Sequence, residues 1–255
     1  MFKVLICIIA GIGAGVGTGF AGMSAAAVIS PMLIAFLDMD PYLAVGIALA
    51  SDVLASAASA VTYGKNKNLD IKNGLIMMAS VLCFTAVGSF VASVVPKTAM
   101  GNFSVIMTLL LGVKFIVKPV VAPKRRLTEA TTAQKAVRSV LCGSAVGFVC
   151  GFVGAGGGMM MLLVLTSVLG YELKTAVGTS VFIMSITALT GSVSHFVIGG
   201  MPDTEALIIC IVSTLAAAQL SAVFANKANP KTLNRITGAI LVALGIAVLV
   251  VNHVS

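Results

Sequence analysis

The chain has 255 residues, 59% hydrophobic and only 9% charged, and its mean hydropathy of +1.11 leaves too little polar surface for a water-soluble domain of this length. Apolar stretches of about 17 to 25 residues recur from end to end, enough to cross roughly 30 Å of hydrocarbon as helices and too long for barrel strands. The formal charge of +8 reads as the basic bias of cytoplasmic loops rather than as a nucleic-acid surface.

In chain order the apolar segments run 3–21, 23–37, 41–64, 73–95 and 99–118, then 136–153, 156–170, 174–198, 204–225 and 232–251. The first, in MFKVLICIIAG, has the lysine and apolar run of a signal peptide, but the repeat described next assigns it to the fold. Asp40-Pro41 is a cap followed by a first-turn proline. Pro96 and Pro119 lie just past helix ends, and Gly199-Gly200-Met201-Pro202 breaks the chain before Asp203. Cys7, Cys83, Cys142, Cys150 and Cys210 lie inside apolar segments with no CxxC pair, so they read as packing residues; Cys150, beside a glycine run, is the one placed to approach a substrate. Neither a metal nor a cofactor is expected.

Sliding the sequence along itself until Gly11 falls on Gly143 also sets Gly15, Gly19, Phe20 and Gly22 on Gly147, Gly151, Phe152 and Gly154. The same register sets Ala44-Val45-Gly46 on Ala176-Val177-Gly178 and Leu75-Ile76 on Leu207-Ile208 without a gap. The chain therefore reads as two repeats, 1–119 and 136–255, joined by a linker at 120–135. Loop charges give them opposite orientation: the loop after the third segment carries Lys65, Lys67 and Lys72, while its counterpart carries Asp203 and Glu205. Lys124, Arg125, Arg126 and Lys135 mark the linker as cytoplasmic, which leaves both termini outside; Lys3 and Lys97 run against this pattern. The fold class is an all-α polytopic membrane protein: two inverted-topology repeats of about five apolar segments each, with interrupted or re-entrant glycine-rich helices.

GFAGMSAAAVISPML (19–33) and GFVGAGGGMMMLLVL (151–165) are the interruptions. A helix that starts inside the membrane presents unpartnered N–H groups and its positive dipole end, both of which suit an anion. Gly22, Met23, Ser24 and Ala25 are expected to meet Gly154, Ala155, Gly156, Gly157 and Gly158 near the midplane, with hydroxyls from Thr179 and Ser180. Gly11, Gly15 and Gly19 read instead as close helix packing. No Arg or Lys stands mid-segment; Lys114, one turn from Lys118, is expected to snorkel to the cytoplasmic surface. Asp52, in ALASDVLAS, carries a coupling proton or organises the pathway, or pairs with Ser51 or Ser56. Gln219 and His195 are the other pathway candidates; Gln219 reads first as an interhelical bond and His195, aligned with Tyr63, as an interfacial anchor.

The paired segments GFAGMSAAAVISPML and GFVGAGGGMMMLLVLTSVLGYELKTAVGTS resemble the glycine-rich pair of the TauE/SafE family of sulfite exporter-type membrane permeases, over nearly the whole chain. The first version departs from the second: Ser24-Ala25-Ala26 stands where the second half has three glycines, and Ile47-Ala48 where it has Thr179-Ser180. The resemblance implies inner-membrane transport of small, often sulfur-containing anions such as sulfite, thiosulfate or organosulfonates. The expected function is a secondary transporter working by alternating access, not an enzyme. An anion channel is the near rival; a serine hydrolase using Ser24 with His195, or a helper subunit without its own substrate, are the others.

Overall fold

A computed structural model describes residues 1–93, 132–153 and 157–229, with isolated positions between 109 and 250. The described residues are all-helical: α1 (Phe2–Ala21), α2 (Ala26–Leu37), α3 (Pro41–Lys65), α4 (Ile71–Ser93), α5 (Thr132–Val153), α6 (Gly157–Ser167), α7 (Leu173–Gly199) and α8 (Thr204–Lys227). Segments 99–118 and 232–251 fall largely outside them. α5 starts at Thr132, inside the stretch expected as linker.

The ends follow local chemistry. Asp40 Oδ1 accepts from Leu43 N (3.1 Å) at the start of α3, and Asp203 Oδ1 accepts from Ala206 N (3.1 Å) at the start of α8. α1 stops where Gly22 turns left-handed, at φ 60° and ψ 35°. Among the described residues four helices are long and apolar enough to cross a membrane: Phe2–Ala21, Leu43–Lys65, Leu173–Val197 and Thr204–Lys227. α2 and α6, at 12 and 11 residues, are not. Leu5, Ile9, Ile12, Ile208, Val212 and Leu220 leave apolar side chains on the outside of α1 and α8, as a lipid-facing surface requires.

Two helix pairs form the frame. α1 runs parallel to α8, in a register read from Lys3 with Asp203, Gly11 with Ser213, Gly15 with Ala217 and Gly19 with Ala222. α4 runs parallel to α5, with Gly143 against Met77 and Ser80 and Gly147 against Val81. At each of these glycines a Cβ would collide with the backbone or β-carbon of the facing helix, so these pairs exist at this spacing only because the side chains are missing. The glycines expected to pack helices do so.

α3 and α7 run antiparallel between the pairs: Gly46 faces Phe196, Leu49 faces Gly191 and Tyr63 faces Gly178. α2 folds back along α1, with Val28 against Gly13 and Met23 against Gly17. One apolar cluster gathers Met23, Tyr63, Met77, Leu162 and Ile183; another gathers Ala10, Ile29, Leu33, Ile47 and Cys210. Tyr63, fully enclosed, donates its hydroxyl to Gly19 O (2.8 Å) and fixes the end of α3 to α1. Cys7 and Cys210 are buried, Cys142 is half-buried and Cys83 exposed; the Cys150 side chain lies outside the described residues.

Candidate functional site

The turn between α1 and α2 is built from Gly22 to Ala25. Gly22 N still reaches Thr18 O (2.9 Å), and the Thr18 hydroxyl donates to Met23 O (2.9 Å), so the last turn of α1 holds the break in shape. On the other side Ser24 Oγ accepts from Ala26 N (3.3 Å), and the first intrahelical bonds of α2 are Ala27 N to Ser24 O and Ile29 N to Ala25 O. The amides of Ser24 and Ala25 precede those bonds and so are available to a partner outside the helix.

The start of α6 comes directly against this turn. A Cβ on Gly158 would stand 2.7 Å from each of Gly22 O, Ser24 N and Met184 Sδ, so the contact is open to glycine alone. Ser180 completes it from α7, donating to Gly22 O (3.1 Å) with Met184 Sδ 3.7 Å from its hydroxyl. Gly157 is the first residue of α6; Gly154, Ala155 and Gly156 lie outside the described residues.

Asp52 is the one carboxylate fully buried among the described residues. It sits midway along α3, accepts from Ser56 Oγ (2.8 Å), and has the Ser24 hydroxyl and the Ala25 amide beside its carboxyl group. Its second oxygen, Oδ2, is enclosed and completes no hydrogen bond. The Ser51 hydroxyl turns away, to Ile47 O (2.9 Å). Of the two hydroxyl partners weighed from the sequence, Ser56 is therefore the one used.

Three other candidates stand apart. Thr179 Oγ1 accepts from Asp70 N (3.2 Å) at the α3–α4 joint. Asp70 also takes the Tyr171 hydroxyl (2.8 Å) and Asn73 Nδ2 (2.7 Å). Burial pushes the Tyr171 phenol above its usual range, and the bond to Asp70 adds to this. Gln219 Oε1 accepts from the Thr62 hydroxyl (3.2 Å), joining α8 to α3 as an interhelical bond. His195 is half-buried against Gly46, about 9 Å along α3 from Asp52. Ser24 thus has a carboxyl group, not that imidazole, as its neighbour. Met184 and the Asp70–Tyr171 pair were not foreseen; the signal for Met184 was present, since it falls on Asp52 in the register that sets Gly11 on Gly143.

The sequence profile described as Sulfite exporter TauE/SafE matches residues 7–248. The chain belongs to the TauE/SafE family. Among its relatives is the "Probable membrane transporter protein YunE" of Bacillus subtilis, 26% identical over 261 residues that span 94% of this chain and 95% of the relative. The "Probable membrane transporter protein YdhB" of the same organism is 24% identical over 216 residues, 83% of this chain and 86% of the relative. A probable membrane transporter protein of Methanocaldococcus jannaschii is 24% identical over 218 residues, 81% of this chain and 78% of the relative.

This TauE/SafE chain is accordingly a multi-pass membrane transporter by family. Within it, Gly22, Ser24, Ala25, Gly158 and Ser180 come together around Asp52 and Met184, while the hydroxyls of Thr179 and Thr62 bond elsewhere. The gathered groups are amide N–H and hydroxyl donors with one buried carboxyl, and no basic side chain is among them.

Proposed function

We propose that this TauE/SafE protein is a secondary transporter that carries a small sulfur-containing oxyanion, of the sulfite, thiosulfate or organosulfonate class, across the cell inner membrane. The observation that carries the reading is the contact of Gly158 with Gly22 O and Ser24 N. It brings two helix starts, from opposite halves, to one point where backbone donors can reach a ligand. The donors named for it are Gly22, Met23, Ser24 and Ala25 from one half and Gly154 to Gly158 with Ser180 from the other, Thr179 reaching it only by leaving Asp70. Asp52 carries the coupling proton; Gln219 and His195 flank the pathway on α8 and α7.

The two halves act as inverted repeats. The repeat register exchanges the α1·α8 pair for α5·α4, and both pairs are parallel and glycine-lined. The same register exchanges α3 for α7, which run in opposite directions. With Lys65, Lys67 and Lys72 at the α3–α4 joint and Asp203 and Glu205 at the α7–α8 joint, the first joint and the 120–135 linker face the cytoplasm and both termini face outward. Lys3 ceases to dissent here, because it pairs with Asp203 (2.5 Å) and Glu205 (2.8 Å) on the same side. Rocking of one half against the other about the central contact gives alternating access.

The test is counterflow in proteoliposomes with sulfite, thiosulfate, sulfoacetate and unrelated anions. Saturable counterflow of at least one sulfur oxyanion is expected. Linear flux without counterflow would convert the carrier into a channel, and no flux with folded protein would end the transport reading for these anions.

A further inference from the structure

The start of α2 is already occupied by a negative group of the protein's own. Asp52 lies beside the Ser24 hydroxyl and the Ala25 amide, the donors that a helix start offers to an anion, and its enclosed Oδ2 makes no hydrogen bond. Among the described residues no carboxylate faces the start of α6. At the position that the repeat pairs with Asp52, α7 carries Met184, whose uncharged thioether faces Gly158. Because a Cβ on Gly158 would stand 2.7 Å from Ser24 N, the two helix starts lie directly side by side.

An oxyanion bound there stands within a few ångströms of the Asp52 carboxyl group. In so enclosed a place two negative charges repel strongly, and they compete for the same donors. We propose that Asp52 is a resident anion that must take up a proton before the transported anion binds, so that proton and anion bind together. A protonated carboxyl ceases to claim the Ser24 and Ala25 donors and can itself donate. This rests on the anion-carrier reading above and specifies how its coupling works.

Among the described residues no other charged side chain faces Asp52 to take over this role. Of the described elements packed around it, α1 carries only Lys3 and Cys7, at its outer end, and α2 and α6 carry no ionisable group. α7 offers Lys174, bonded to Asn226 O (2.5 Å), and His195, at Gly46. α8 offers Glu205, Cys210 and Lys227, away from its centre, and α3 itself adds Tyr42, Tyr63 and Lys65.

The measurement is calorimetry of methanesulfonate and thiosulfate binding to the purified full-length protein, repeated in buffers of different ionisation enthalpy and over a pH series in which neither probe changes charge. Above the pH at which Asp52 ionises, uptake approaching one proton per anion is expected, with affinity falling about tenfold per pH unit. Asp52→Asn, an isostere of the protonated acid, should bind with no proton uptake and with an affinity independent of pH. Binding to the wild type without proton uptake, or proton uptake that persists in Asp52→Asn, overturns the inference and leaves the carrier reading standing. Failure of the folded wild type to bind any anion that the counterflow panel moves also overturns it. If Asp52→Asn does not fold, the wild-type proton count decides alone.

Discussion

The starts of α2 and α6 touch, yet they are furnished differently. At α2 the chain supplies Ser24, Ala25 and Ala26, and Asp52 faces the donors; at α6 it supplies Gly157 and Gly158, and Met184 stands where the carboxylate would be. A carboxylate at a helix start is stabilised by the dipole and by free N–H groups, typically by about 0.3 to 1 kcal/mol and up to about 2 when partly buried. Among the described residues the α2 start therefore has its own charge partner, and the α6 start does not. Under the proposal above, one half answers to a proton and the other to an anion, while the frames behind them, α1·α8 and α4·α5, are both glycine-lined.

The equivalence of the frames is tested by the largest expected effect. Gly15→Leu drives a side chain into Thr214 O and Ala218 N, and Gly147→Leu drives one into Val81. Neither obstacle is a flexible side-chain tip, so each variant should cost about 3 kcal/mol or more and lose its monodisperse peak in size-exclusion chromatography. Should one variant remain folded, the two pairs are not equivalent supports.

Next is a swap at matched positions of the helix starts. Gly158→Val should abolish flux, because its Cβ meets Gly22 O and Ser24 N, at a stability cost of about 1 to 3 kcal/mol. Ala26→Gly, at the position the repeat pairs with Gly158, loses a buried methyl group and about 1 kcal/mol of helix propensity, and should keep flux within a few-fold. Equal loss of flux in both variants, measured in proteoliposomes at matched protein, would erase the distinction between the two starts.

Helix ends were legible because they are written in short-range chemistry. Asp40 and Asp203 cap as their sequence contexts suggest, and a four-residue spacing along one helix face picked out Gly11, Gly15 and Gly19 as packing residues. Which helix those glycines face was not legible, since α8 lies in the other half of the chain and nothing local selects it. Asp52 was visible as a buried acid, and Ser56, one helical turn on, as a neighbour on the same face, but Ser24 and Ala25 reach it only through the fold-back of α2. Thr179 illustrates a different limit. It adjoins Ser180 in the motif, but neighbours on a helix point about 100° apart. Ser180 therefore meets Gly22, while Thr179 meets Asp70.

The joints between helices extend the comparison with smaller effects. The register that sets Gly11 on Gly143 also sets Met39 on Tyr171, so the bond from Tyr171 to Asp70 has no counterpart at the matched position. Tyr171→Phe should cost about 1.5 to 3 kcal/mol, the range of a hydrogen bond to a charged group, read as a lower melting temperature in detergent. Because the folded state holds the phenol above its ordinary pKa, this stability is full below about pH 10 and declines above it. The Phe variant should lack that alkaline decline. An unchanged melting temperature and pH profile would reduce the joint to incidental contact.

The smallest effect belongs to the opposite joint, where Lys3 holds Asp203 and Glu205 with all three side chains part-exposed. Such pairs are screened by water and salt, so Lys3→Met should lower the melting temperature only slightly, and only at low ionic strength. Lys3 keeps the Asp203 carboxyl below its usual range. The stabilisation is therefore present above the ordinary carboxylate pKa and disappears as pH falls through the depressed one, the reverse of the Tyr171 profile. A pH series run on both variants should thus lose its acid shoulder in Lys3→Met and its alkaline decline in Tyr171→Phe. If Lys3→Met instead moved the alkaline limb, the two joints would be coupled through the helices between them, and the halves would not be separable in the way their helix starts suggest.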